Sequence, residues 1–244
     1  MSNDLDDRFI APLGSDELLA GFWANLWPTA RREHPDVIAA RDALLERYAE
    51  PHRAYHNHAH LISLLSLAHE IEGRRVPVVA PAIDRAIAPV ATPVVSSAIP
   101  PVIGWAIWFH DAIYAPMAKD NEARSAALAR ATLGELDVAS ALIAAVELFI
   151  RATQRHELLE DSDDLRIFLD LDLSIFAAPE HIYDRYTRAI RREYRWVPAP
   201  LYRSGRRKVL ASFAAREQLY FSATLRPRFE AAARLNLARE LATL

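Results

Sequence analysis

An all-α, compact multi-helix fold is what this chain predicts, on three observations. Apolar residues recur at helical spacing in nearly every segment, strand-like alternation is rare, and only 6 glycines punctuate 244 residues. Between Pro35 and Pro51, Val37, Ala40, Leu44 and Tyr48 follow i, i+3, i+7 and i+11, and Ile38 and Leu45 widen the stripe into a core-facing band. The same reasoning predicts helices over 16–27, 57–72, 102–114, 121–133, 138–153, 165–176, 180–197, 201–220 and 227–242. Ser15 is the expected cap of the first, Asp120 caps the helix that opens at Asn121-Glu122, and Gly134 closes it. From Phe168 to Phe176 the chain also alternates like a half-buried strand, but such a strand has no obvious partner. Read as a helix, Leu165, Phe168, Leu169 and Asp172 share one face, which turns Asp172 inward. No internal repeat or heptad seam is visible.

With 52% apolar and 25% charged residues, the chain can bury a substantial core as a single domain over 1–244. A net charge of −3, with both signs mixed along the sequence, argues against a nucleic acid or an anionic membrane as partner and fits a small ligand better. There is no cysteine, so any metal must be held by nitrogen and oxygen ligands. The start, Met1 to Asp7, is acidic where a secretory signal is basic, which predicts a cytoplasmic setting. Residues 86–109 carry no charge and are long enough to span a bilayer, but Pro89, Pro93, Pro100 and Pro101 would break such a helix repeatedly. The Pro/Ala-rich stretch 73–101 therefore reads as a connection into a buried helix, long enough to serve as a lid or a subunit contact.

The chemistry concentrates at His110-Asp111, which closes the apolar run from Ile103 to Phe109. Two ionisable residues at the end of such a segment are costly to bury without a partner, and a divalent cation suits both. Upstream, His56 and His60 are spaced by four; downstream lies the inward Asp172. His60, His110, Asp111 and Asp172 together offer two imidazoles and two carboxylates, which leave positions open on an octahedral ion for water and substrate. The plainer reading of an isolated His-rich patch is a solvated helix start, or histidines hydrogen-bonded in a core.

These residues resemble the HD superfamily of metal-dependent phosphohydrolases, whose signature runs H…HD…D along a helical fold. The longer patterns Glu50-Pro-His-Arg-Ala-Tyr-His-Asn57 with His60, Trp108-Phe-His-Asp-Ala-Ile-Tyr114, Asp120-Asn-Glu122 with Ser125, Thr153 with His156, and Phe168-Leu-Asp-Leu-Asp-Leu173 look like one bacterial branch of predicted HD-domain phosphohydrolases. Ile190-Arg-Arg-Glu-Tyr194 and Tyr202-Arg-Ser-Gly-Arg206 extend the likeness toward the C-terminus. The resemblance implies a site core at about 50–176, with C-terminal helices over 180–243 packed on it. It implies that His60, His110, Asp111 and Asp172 bind the metal, with His56 as the alternative first ligand or a substrate group, and that Asp170 orients a ligand or a neighbouring Arg. Mn²⁺ or Mg²⁺ is the expected ion, with Fe, Co, Ni and Zn compatible.

The implied activity is hydrolysis of a phosphate ester or anhydride in a small phosphorylated molecule, with nucleotides as the leading class and a homo-oligomer left open. Asp111 would also orient the nucleophile, and Glu122 and His156 are further catalytic candidates through proton transfer or a second metal. The plainer readings are a first-turn carboxylate for Glu122 and a loop histidine for His156. Arg53, Arg191 and Arg206 are candidate phosphate ligands, although Arg191, Arg192 and Glu193 also read as helix-surface ion pairs. Tyr183, Tyr186, Ile190 and Tyr194 form a stripe that suits core packing or the stacking of a base. Two rival functions are a di-iron HD-fold oxygenase and a non-catalytic nucleotide-binding regulator.

Overall fold

The computed structural model describes residues 14–75 and 99–244, and among them the chain is helical with no strand. In order the helices are α1 (Ser15–Asn25), α2 (Pro35–Tyr48), α3 (His58–Arg75), α4 (Pro101–Phe109), α5 (Asn121–Glu135), α6 (Ser140–Ala152), α7 (Asp163–Asp172), α8 (Glu180–Glu193), α9 (Ala199–Ala214) and α10 (Arg226–Thr243). A 3₁₀ turn, Leu173–Ala177, continues α7, so the stretch that also alternated like a strand is helical. No helix among the described residues is long and apolar enough to cross a membrane. Of the uncharged segment, only its end is described, as the nine-residue α4; most of the connection at 73–101 lies outside the described residues.

Several boundaries differ from expectation for local reasons. Gly14, at φ 80, precedes α1, and Ser15 is its buried first residue rather than its cap. Asp120 holds the N-cap position of α5 without a side-chain hydrogen bond. That helix runs through Gly134; Asp137 takes the left-handed conformation at φ 55, and Val138 N–H closes back on the Leu133 carbonyl. The helix predicted to reach residue 114 stops at Phe109, those predicted to reach 197 and 220 stop at Glu193 and Ala214, and α3 starts at His58, one residue later than predicted, with His56 before it.

Two apolar clusters organise the helices. The first is built by α1–α7, with Trp23 meeting Trp105 and Trp108 edge-on at 5.0 Å each. The second joins α8, α9 and α10 to Leu173 and Phe176 of the 3₁₀ turn and to Ala54 and Tyr55; Phe229 packs against both. The metal-ligand candidates sit where the two meet.

Candidate metal centre

Each candidate ligand sits at a helix end. Asn57 Oδ1 accepts from Ala59 N–H at 2.9 Å and starts α3, which places His60 in its first turn. The buried run Ile103–Phe109 forms α4 and delivers His110 and Asp111 at its C-terminus, while Asp172 ends α7. Helix C-termini carry partial negative charge, so two of these ends favour a cation between them.

The side chains converge. His60 Nε2 and His110 Nε2 are 3.2 Å apart, and Asp172 Oδ1 lies 3.7 and 3.6 Å from them. Asp111 Oδ2 lies 3.1 Å from His110 Nε2 and 3.7 Å from His60 Nε2. Ligand atoms of His60, His110 and Asp172 all fall within 4.8 Å of one another. At metal–ligand distances of about 2.1 Å, neighbouring ligands of one ion stand ~3.0–3.4 Å apart, so the set is close to the size an ion requires. His110 Nδ1 donates to the Ile107 carbonyl at 2.9 Å, which in the neutral ring leaves Nε2 as the free lone pair. Burial, with His110 alongside, pushes the His60 imidazole down to about 4, so it is neutral at pH 7. His110 moves the other way: burial disfavours its charge, but the Asp111 and Asp172 carboxylates outweigh it and raise the ring well above the usual range. Both carboxyls are held low against the penalty of burial, Asp111 chiefly by the His110 charge and Asp172 chiefly by its hydrogen bond to His110.

His56 lies beside this cluster, its Nε2 3.9 Å from Asp111 Oδ2 and its Nδ1 2.7 Å from Glu193 Oε2. Glu193 is the residue that sequence reasoning missed. Far from being half of a surface ion pair, it is 3% exposed and accepts the backbone N–H groups of Ala54, Tyr55 and His56 on Oε1 and the Tyr114 hydroxyl on Oε2. Its burial opposes ionisation, yet the His56 charge and these donors hold the carboxyl down at about 2. A signal was present: Tyr183, Tyr186, Ile190 and Glu193 follow one inward stripe of α8.

His156 Nε2 is 2.8 Å from Asp172 Oδ2, whereas His60 approaches Oδ1. Its φ of 48 is an uncommon backbone conformation for a non-glycine residue, and Arg216 secures it by donating to the carbonyls of His156 and Arg155. Glu122, in the first turn of α5, faces the same cavity; burial and the Asp111 charge raise its carboxyl above the ordinary range.

The arginines behave differently from expectation. Arg53, 2% exposed, spends its guanidinium on Glu50 and on the carbonyls of His56, Asp111 and Ala112, so it clamps the backbone of the doublet and presents nothing to a phosphate. Arg191 donates to the Tyr194 and Val197 carbonyls and lies outside the cavity lining. Arg206 does line the cavity, but its Nε and Nη2 donate to Glu240 and its Nη1 to the Tyr186 hydroxyl. Asp170 orients neither a ligand nor an Arg: its two oxygens accept Phe221 N–H at 2.7 Å and Ser222 N–H at 2.8 Å.

The cavity over the centre measures about 660 Å³ and is lined by His56, Asp111, Glu122, His156 and Asp172 together with residues of the 3₁₀ turn, α8 and α9. Of the tyrosine stripe, Tyr186, Ile190 and Tyr194 face it, while Tyr183 is buried and donates to Glu240. Set against known proteins, the chain matches no family model, no curated protein and no solved structure, so a functional reading rests on this arrangement of its own side chains.

Proposed function

We infer that the protein is a metal-dependent hydrolase that cleaves a phosphate ester or anhydride of a small molecule, the activity that the resemblance to the HD superfamily implies. The observation that carries this reading is the convergence of His60, His110, Asp111 and Asp172 at the floor of a cavity large enough for a small substrate. A divalent ion held there supplies a water acidified toward neutral pH and a Lewis acid for a phosphoryl oxygen. The rest falls to the chain. His110 is oriented by the Ile107 carbonyl and His56 by Glu193, so neither ring must reorganise during reaction. Glu122, whose raised carboxyl retains a proton more readily than an ordinary glutamate, faces the cavity where a leaving oxygen needs one. Arg53 holds the doublet and the His56 loop together from behind.

Phosphate release from a panel of nucleotides and phosphorylated metabolites with Mn²⁺, Mg²⁺, Co²⁺ or Ni²⁺ tests the reading. The expected result is release that requires metal and falls by more than the roughly 10–100-fold typical of a supporting residue in Asp111→Ala; metal-independent release, or an active variant, overturns it. A di-iron oxygenase is the second reading, supported by Asp172, whose Oδ1 faces His60 and His110 while Oδ2 meets His156, so that a further imidazole stands beside the group that would hold the first ion. Two irons per chain with oxygen consumption and no phosphate release would favour it.

A further inference from the structure

Beyond the His56 imidazole, which is already paired with Glu193, the cavity offers a phosphorylated ligand little fixed positive charge. Among the described residues lining it, Arg206 is the sole Arg or Lys, and each of its three nitrogens already donates to Glu240 or Tyr186. Asp111, Glu122 and Asp172 line the same space, so a chain of phosphates would meet carboxylates wherever a metal did not intervene. One phosphate at the metal centre is what the charges accommodate.

The rest of the lining is largely apolar and aromatic. Ile175 and Phe176 of the 3₁₀ turn, Tyr186 and Ile190 of α8, and Tyr202 and Phe213 of α9 face the cavity. At the rim, Trp196, Leu201 and Val209 are 52%, 65% and 48% exposed, so large apolar side chains stay in water beside the entrance to a polar site. Polar side chains on the α5–α6 side are already engaged: Asn121 with the Ala115 backbone, Thr153 with the Ile150 carbonyl and Gln154 with the Lys119 carbonyl. Apart from the tyrosine hydroxyls, such a wall offers area and shape, and would leave most hydroxyls of a sugar without hydrogen-bond partners. Gly205 of α9 also lines it, and a Cβ there would meet no atom within 4 Å.

We propose that the α8–α9 wall is a subsite for a neutral, ring-bearing apolar group, so that the preferred substrate is a phosphomonoester whose single phosphate lies at the metal centre and whose apolar body lies against Tyr186, Ile190, Tyr202 and Phe213. The substrate clause rests on the hydrolase reading; the subsite does not. The experiment has two arms. In the first, calorimetric titration with 2-naphthol, which carries no phosphate, gives saturable one-to-one binding to the full chain. Gly205→Leu, which fills the subsite with a helix-compatible side chain, and Val209→Asp, which charges its rim, each weaken binding at least tenfold with unchanged helical circular dichroism. Absence of saturable binding to the unaltered chain, or binding that both variants leave unchanged, overturns the subsite. In the second arm, with Mn²⁺, kcat/KM for 2-naphthyl phosphate exceeds that for a sugar phosphate and for a nucleoside triphosphate at least tenfold, and a nucleoside monophosphate exceeds the triphosphate. A preference for the triphosphate or the sugar phosphate overturns the substrate assignment. Naphthol binding lost in the variants, with no phosphate released from any compound, sinks the hydrolase reading while the subsite stands.

Discussion

The two halves of this molecule solve different problems. The α1–α7 bundle is a dry core that runs to the floor of the site, with Trp105, Ala106, Ile107, Trp108 and Phe109 all at most 1% exposed immediately before His110. The α8–α10 layer buries a smaller cluster and spends much of its polarity on ties back to the first half: Glu193 to the His56 loop, the Phe221–Ser222 turn to Asp170, and Arg216 to the His156 turn. Apolar packing places the candidate ligands; charged hydrogen bonds from the second layer orient what stands around them. That division explains why the candidate ligands lie at helix ends, where a rigid apolar helix hands over to a polar turn.

The largest expected effect comes from breaking the Glu193 tie. Glu193→Gln leaves His56 Nδ1–H, three backbone N–H groups and the Tyr114 hydroxyl with a neutral, half-mismatched acceptor, and loss of a buried charge pair costs about 3–5 kcal/mol. Urea unfolding should register that loss; a variant as stable as the parent chain would show that this tie contributes nothing to joining the two halves. Acid sensitivity checks the same tie. The folded carboxyl is held at about 2 against 4.5 for an ordinary glutamate, so its contribution is complete above pH 4.5 and disappears as pH falls toward 2. His56, raised from 6.5, contributes fully below pH 6.5 and loses its share as pH rises through its folded value. In Glu193→Gln the fall in melting temperature between pH 4.5 and 2 should shrink.

A smaller effect, about 1–3 kcal/mol, is expected from Asp170→Asn, whose amide would turn an N–H donor toward Phe221 or Ser222 N–H. Thermal melting would detect it, and an unchanged melting temperature would mean that this second tie is dispensable. The smallest change sharpens the contrast from the other side. Gly205→Ala has room for its methyl and should stabilise α9 by roughly 0.5–1 kcal/mol; a loss of stability would show that α9 does not border open space.

The helices and the site floor were legible because both depend on local periodicity. Val37 to Tyr48 repeats its stripe openly, and Asp172 shares a helical face with the buried Leu165, Phe168 and Leu169. Roles that depend on distant partners were not legible. Arg53 looks like a phosphate ligand until the carbonyls of Asp111 and Ala112 are seen around its guanidinium, and nothing near Arg53 in the sequence announces them. Asp170 similarly serves a turn 51 and 52 positions downstream. Glu193 sits intermediate: its inward phase was readable, but the preceding Arg191-Arg192 made a surface ion pair the simpler interpretation. Asp137 shows a backbone version of the same limit, since the turn placed its left-handed residue three positions beyond the glycine that advertised it.

The hydrogen bonds from Ala54, Tyr55 and His56 to Glu193 span 139, 138 and 137 positions. Contacts of such separation close late, because a long loop must surrender its freedom before they reward it. His60, His110, Asp111 and Asp172 all precede Glu193 in the chain, so the clamp on His56 is the last of these groups to be synthesised. During refolding the backbone amides of Ala54, Tyr55 and His56 should therefore gain protection from hydrogen exchange together with α8, although they lie next to α3 in the sequence.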